Sequence, residues 1–371
     1  MTVIALILIL SFLVIIHELG HFFAAFWAKI KVEEFGLGYP PAVRKLFSWK
    51  GVPFTLNWVP FGGFVRMAGE EESPTEAGKK PVAGHFYSAS VFRRLVVILA
   101  GASVNFIFGV LAFTVTFSFI GIPQLLTEAR VGFVVPESPA AKSNLPIDVT
   151  ITGIKLGEAV TPIKTPAEVI SFVLQHRGET VTLQTTGPCT AAGCAKSLQE
   201  FPTYIRTEAE TPTGQGALGI AFQDYTLKFY PWYEMPFRSA RFGITQALGL
   251  GGQILVALRD LVTNLVTKGI VPSELAGPVG IVHQAQTTGL LNQGWIAVVT
   301  FAGMLSINLA IMNVLPIPPL DGGKAVFTIL EPLVSRKRLQ RIEYWVNYGG
   351  YVFLLGLILV ITVRDIGKIL F

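Results

Sequence analysis

The pentapeptide His17-Glu18-Leu19-Gly20-His21 carries the residue types of a hydrolytic metal site. Two histidines at i and i+4 share one face of a helix, with a glutamate beside them. That spacing can hold a zinc ion through two imidazoles, and the carboxylate can take a proton from a water that the metal acidifies. Chance alone would put the pattern in about one chain in 300 of this composition, so its setting has to carry part of the argument. The setting is apolar, with the run from Val3 to Ile16 before it and the run from Phe22 to Ala28 after it. Polar side chains in such a helix cost about 2 kcal/mol or more each unless they are paired or put to work. A second stretch, Asn313-Val-Leu-Pro-Ile-Pro-Pro-Leu-Asp321-Gly-Gly323, closes another apolar run. Three prolines cannot continue a helix. The run must unwind there and present Asp321 on a glycine-flexible turn. Unwound backbone at membrane depth is tolerated only where protein buries it or it lines a wet cavity. Asp321 could instead cap a short helix beginning near Lys324.

The elements that must position these residues follow from composition. Of 371 residues, 51% are hydrophobic and only 14% charged, against about 25% charged in soluble domains. Mean hydropathy is +0.56. This is the composition of an integral membrane protein. The net charge of +5 does not argue for nucleic-acid binding, because the basic residues cluster beside apolar runs, as membrane topology requires. The first run has no Lys or Arg ahead of it and exceeds the length of a signal-peptide core, so it reads as a retained helix over residues 3–28. Further spans are expected at 95–120, 295–315 and 344–363, with no further acidic residue inside them.

The fold expected is therefore a polytopic α-helical membrane protein with four spans, an inserted α+β domain, and a membrane-associated β element. Residues 1–120 hold spans one and two with a β-rich loop, where 52–66 is rich in strand formers and Gly/Pro punctuation. That segment could hold an extended substrate by strand addition. Asn105, in span two, reads as a hydrogen bond within the bundle or as a helper of the active site. In 121–225, strands are expected at 130–135, 147–154, 180–185, 203–208 and 217–222, and short helices at 140–144 and 166–175. Residues 226–294 hold a helix over 233–268 whose recurring charges suggest that it lies on the membrane surface. Residues 295–371 hold spans three and four. The loops 29–94 and 335–341 are basic and should be cytoplasmic. Both termini and 121–294 then lie outside, and His17, His21 and Asp321 share the cytoplasmic half of the bilayer. Cys189 and Cys194 sit in a turn-like stretch on that oxidising side and are expected to form a disulfide.

In these motifs the chain resembles the site-2 protease family of intramembrane zinc metalloproteases. The marks are His17-Glu-Leu-Gly-His21 and Asn313-Val-Leu-Pro-Ile-Pro-Pro-Leu-Asp321-Gly, with weaker ones at Pro60-Phe-Gly-Gly-Phe-Val65 and Gly277-Pro-Val-Gly-Ile281. The resemblance implies His17, His21 and Asp321 as zinc ligands and Glu18 as general base. It also implies that Asn313 binds the substrate backbone or the oxyanion, while Phe61, Gly62 and Gly63 are candidate substrate-binding residues as part of the strand-rich 52–66 clamp. Val131 to Lys142 is similar to the start of a single PDZ domain, which would be extracytoplasmic; the family's glycine turn is replaced by Asn144-Leu-Pro-Ile-Asp148. The implied activity is zinc-dependent cleavage within or near transmembrane segments of single-pass membrane proteins, such as anti-sigma factors or remnant signal peptides. The implied place is the inner (plasma) membrane, with lipid as a neighbour and neither nucleic acid nor a small-molecule partner. Two other classes compete: a metal transporter using the same ligands, and an inactive membrane scaffold, which would have no need of Glu18.

Overall fold

The computed structural model describes residues 2–70, 82–187, 189–190, 193–194, 197–269 and 277–370. In chain order the elements are α1 (Thr2–Ala28), β1 (Val32–Trp49), β2 (Val52–Met67), α2 (Val91–Ile120), β3 (Ile122–Leu125), β4 (Val131–Val134), α3 (Pro139–Lys142), β5 (Thr150–Leu156), β6 (Ala159–Pro162), α4 (Pro166–Gln175), β7 (Thr180–Thr186), β8 (Cys189–Thr190), β9 (Gly193–Cys194), β10 (Leu198–Tyr204), β11 (Ile220–Phe222), β12 (Tyr225–Lys228), α5 (Met235–Lys268), α6 (Pro278–Thr287), α7 (Trp295–Val314), α8 (Asp321–Leu330) and α9 (Arg336–Leu370). The chain divides into two units, Met1–Ile120 with Tyr230–Phe371, and Gly121–Phe229.

Among the described residues of the first unit, α1, α2, α7 and α9 are long and apolar enough to cross a membrane. Helix α2 is the hub and packs against α1, α5, α7 and α8. Small residues set its approach to α7: Gly303 lies against Ala112, and Gly109 against Ile307. Without a hydrophobic drive between helices in lipid, such close van der Waals contact is what holds them. A hydroxyl pair, Thr116 with Thr300 at 2.9 Å, adds one polar tie. Helix α5 buries Ser239, Gly243, Ala247 and Gly251, one every fourth residue, and lies along α2 and α7. The charges that recur along it face away from that stripe of small residues. Helix α9 is longer than the expected 344–363 and runs on past Asp365, which is buried. An acidic side chain inside the last helix is thus a correction to the sequence reading.

The 52–66 element is one strand of a hairpin whose other strand, β1, the sequence did not suggest. The two pair antiparallel and fold back on each other: 32–37 lies between 63–67 and 54–56, and 42–49 pairs with 52–57 on the far side. Phe54 stacks on Phe35 and Phe47 at centroid distances of 4.9 and 4.5 Å. Phe22 of α1 inserts edge-on into this group and is buried. The hairpin is therefore clamped to α1 one residue beyond His21.

The second unit is an α+β body. A four-stranded antiparallel sheet has the order β10-β7-β5-β6, with two small ladders, β4–β11 and β3–β12. Its core joins Ile151, Ile154, Val181, Leu183 and Ile205 to Val169 of α4. Helix α4 starts in a capping box, with Thr165 and Glu168 each bonded to the other's backbone N–H. The expected pieces at 130–135, 147–154, 180–185, 217–222 and 166–175 correspond to β4, β5, β7, β11 and α4. The strand expected at 203–208 lies earlier, as β10, and the short helix is Pro139–Lys142. In the turn over 144–148, Asn144 and Asp148 take left-handed conformations with φ of 57° and 66°. Asn and Asp tolerate that region better than other side chains. Cys189 and Cys194 are backbone partners in the small β8–β9 ladder. Their side chains lie outside the described residues, as does Lys79-Lys80 of the basic loop.

Candidate metal centre

Three side chains converge from two distant parts of the chain. His17 and His21 stack on one face of α1, with ring centroids 4.7 Å apart. Asp321 opens α8, immediately after the segment that prolines 316, 318 and 319 keep out of helix. Asp321 Oδ2 lies 3.0 Å from His17 Nε2 and 3.3 Å from His21 Nε2. The two Nε2 atoms are 3.1 Å apart. Zinc bonds of about 2.1 Å in a tetrahedron give edges of about 3.4 Å, so this triangle fits one face of a zinc tetrahedron. The donor set is two imidazoles and a carboxylate, which leaves a fourth position open as catalytic sites require. Both histidines are buried, and among the described residues this is the one His/Cys/Asp/Glu group close enough to share an ion. The capping alternative for Asp321 finds no support, because the α8 N-cap is Leu320 and has no side-chain cap bond.

Backbone geometry makes the convergence possible. A Cβ on Gly101 of α2 would come within 2.5 Å of His21 Nε2 and 2.7 Å of His17 Nε2. Only a residue without a side chain lets α2 back so closely onto the rings. On the other side, a Cβ on Gly322 would collide with the carbonyls of Val314 and Leu315. The turn that brings Asp321 back onto α1 closes only with glycine there. His21 is oriented by its Nδ1–H, which donates to the Val97 carbonyl at 2.8 Å. That bond fixes the tautomer and leaves Nε2 as the metal-facing atom.

Glu18 points to the hairpin. A Cβ on Gly63 would sit 3.6 Å from Glu18 Cγ, and the Val65 backbone N–H is directed at the carboxylate. Gly62 and Gly63 therefore lie over α1 beside Glu18, while Phe61 is exposed. Asn313 stands on the last turn of α7, eight residues before Asp321 and half-buried. The structure brings His17, Glu18, His21, Gly63 and Asp321 together. Cys189 and Cys194 belong to the other unit.

A tether on α8 is not legible in the sequence. Lys324, one turn after Asp321, pairs with Glu70 from the end of the hairpin, and Arg94 of α2 pairs with Glu331. Phe86 lies under both cations, 4.8 Å from Lys324 and 6.0 Å from Arg94. These ties hold α8 to the hairpin and to α2. No motif marks them, because the partners are far apart in sequence. Gly101 and the Val97 carbonyl had a legible signal: 97, 101, 105 and 109 recur every fourth residue on α2, and all are buried.

Comparison with known proteins agrees with this geometry. The model of peptidase family M50 matches residues 5–357. A protein of Clostridium acetobutylicum named as a zinc metalloprotease is 29% identical over 97% of this chain and 96% of its own. A second such protein, from Fusobacterium nucleatum, is 28% identical over 100% and 99%. A protease of Enterococcus faecalis, Eep, is 26% identical over the whole of both chains.

Proposed function

Because the chain belongs to peptidase family M50, the site-2 protease family, and is a zinc metalloprotease, we propose that its substrates are single-pass membrane proteins cut within or beside their transmembrane segments. The observation that carries this reading is that Asp321 reaches both Nε2 atoms of an apolar helix long enough to span a bilayer. A hydrolytic centre built into such a helix meets substrates that are themselves in the membrane.

When bound, zinc supplies a Lewis acid and an acidified water. His17, His21 and Asp321 hold it. Glu18 accepts the proton of the attacking water and returns it to the departing amine nitrogen. A helical peptide bond is shielded by its own hydrogen bonds, so the substrate has to be drawn out into an extended form. The end of strand β2 over 63–67 pairs only with 32–37 of β1 among the described residues. Its outer edge at Phe61-Gly62-Gly63, beside Glu18, can pair with such a segment by strand addition. Asn313 binds the substrate backbone or the developing oxyanion.

The charge of the loops supports a cytoplasmic 29–94 and 335–341 with Gly121–Phe229 outside, in a plasma membrane. The outer unit is PDZ-like in this reading. It limits access by substrates with large ectodomains, and Cys189 is disulfide-bonded to Cys194. Anti-sigma factors and remnant signal peptides match the required substrate chemistry.

The test compares wild type with Glu18→Gln in detergent and in cells, using a reporter transmembrane segment and zinc analysis. The amide cannot accept a proton, so the variant should retain zinc and lose turnover by about 10²-fold or more. Equal cleavage by both proteins would remove Glu18 from the chemistry. Absence of cleavage by a zinc-loaded wild type, with transport of zinc across vesicles, would favour the transporter.

A further inference from the structure

The two histidines are supported differently. Nδ1 of His21 faces a backbone carbonyl, Val97 O, at 2.8 Å. A carbonyl only accepts, so the Nδ1 proton of His21 is fixed and Nε2 keeps its lone pair. Among the described residues, no carbonyl is bonded to Nδ1 of His17. The group before it is the side-chain amide of Asn105, whose nitrogen lies 3.4 Å away. Asn105 has no exposed surface, and its Oδ1 is buried without a partner among the described residues. Its backbone is pinned from the other side, where the Ser306 hydroxyl donates to the Asn105 carbonyl at 2.8 Å.

The oxygen and nitrogen of an amide are told apart only by what they bond, and a half-turn of the group exchanges them. With the NH2 toward the ring, Nδ1 has to accept, and the ring proton sits on Nε2. That proton then points at Asp321, 3.0 Å away, and blocks the lone pair a cation needs. With Oδ1 toward the ring, Nδ1 carries the proton and Nε2 is free. A histidine that binds a metal almost always donates its other N–H to an oxygen. Resting on the zinc reading above, we propose that Asn105 is the positioning residue of His17: its Oδ1 accepts the Nδ1 proton, so that Nε2 is presented to the ion.

The arrangement on α2 is consistent with this division of labour. Val97, Gly101 and Asn105 recur every fourth residue on one buried stripe. Val97 serves His21, Asn105 serves His17, and Gly101 between them leaves room for both rings. A buried amide left without a bond is costly, and a leucine at this position would avoid that cost. The polar residue is explained by what it does for the ring.

The test measures zinc affinity by chelator competition on the full-length protein in detergent, for wild type, Asn105→Leu and Asn105→Asp. Removing such an outer partner costs about 10–100-fold in metal affinity, which is the loss expected for Asn105→Leu. Aspartate has nearly the same shape but can only accept, so Asn105→Asp should bind zinc at least as tightly as wild type. If Asn105 served only the bundle, as a donor, aspartate would be as damaging as leucine. Loss of affinity in Asn105→Asp, or wild-type affinity in Asn105→Leu, overturns the proposal. Should Asn105→Leu not fold, the comparison of aspartate with wild type decides alone. A wild type that binds no zinc overturns the metal reading, and this proposal with it; the other outcomes touch Asn105 only.

Discussion

Two aspartates of the membrane unit, Asp321 and Asp365, stand in apolar surroundings and use their charge differently. Asp321 directs one oxygen at two imidazoles, 304 and 300 residues away in sequence. Asp365, buried in α9, directs one oxygen at the backbone N–H groups of Gly277 and Gly280, at 2.8 and 3.0 Å. Those groups open α6, so Asp365 neutralises the orphan donors of a helix N-terminus and fixes α6 to α9. Arg364 stands 3.7 Å from its other oxygen. Asp321 heads its own helix without capping it, and its partners are side chains that can all face one ion. Burial and charge are common to both residues. What separates chemistry from architecture is whether the partners are metal-binding side chains or backbone amides.

The largest effect that can break this contrast is on zinc itself. Asp321→Ala should reduce bound zinc well below stoichiometry and remove activity, with the helical content of the protein unchanged. Chelation of wild type should do the same, and zinc should restore it. If Asp321→Ala retains stoichiometric zinc in a folded protein, Asp321 belongs with Asp365 as an architectural carboxylate.

A steric version sharpens the point from the side of α2. Gly101→Ala adds one methyl, which would meet both metal-facing nitrogens at 2.5–2.7 Å. Real Cβ atoms do not approach so closely, so the rings or the helix must shift. Zinc affinity should fall by at least 10-fold, a loss comparable to that of an outer partner. The same change at Gly249 of α5, which has open space around it, is the control and should leave zinc unaffected.

Asp365→Ala probes the other member of the pair. It leaves two backbone donors without their carboxylate, and bonds to a charged group are worth about 1.5–3 kcal/mol each. Thermal unfolding in detergent should shift downward by several degrees, while zinc affinity stays at the wild-type value. Zinc loss equal to that of Asp321→Ala would make Asp365 part of the metal site as well.

The unequal legibility of these residues has physical causes. His17, Glu18, His21 and Asp321 were readable because polar groups in apolar runs are costly and their spacing is that of ligands. The four spans were readable from length and composition. Strand β1 was not, because Pro40-Pro41, Gly36 and Gly38 interrupt any alternation and its pairing is set by β2. Helix α5 looked like a surface helix because its charges recur at each turn; the small residues on its buried side carry less weight in hydropathy than in packing. Asp365 and Lys324 depend on partners more than 80 residues away in sequence, which no local pattern encodes. The role of Asn105 lies in the orientation of one amide.

A third carboxylate, fully exposed in the other unit, sets the lower end of the scale. Glu168 of α4 accepts from the backbone N–H of Lys164 at 2.7 Å and of Thr165 at 3.3 Å. The Lys164 N–H, with smaller help from Thr165, holds its carboxyl below the ordinary value of 4.5. A carboxyl whose folded pKa is depressed stabilises the fold fully above its unfolded value, and that contribution is lost as pH falls through the folded value. Like Asp365, Glu168 serves backbone donors at a helix start, but water surrounds it and screens its charge. Hydrogen exchange, corrected for the intrinsic pH dependence, should show the Lys164 and Thr165 amides protected at neutral pH and progressively less protected below pH 4.5. The amides in the interior of α4 should keep their protection across that range, because the hydrophobic contacts of Val169 and Val173 do not titrate. Glu168→Gln keeps an acceptor oxygen without a titratable charge, so its profile at Lys164 and Thr165 should be flat. A variant profile that falls in parallel with wild type would place the acid sensitivity elsewhere in the unit and deny Glu168 its capping role.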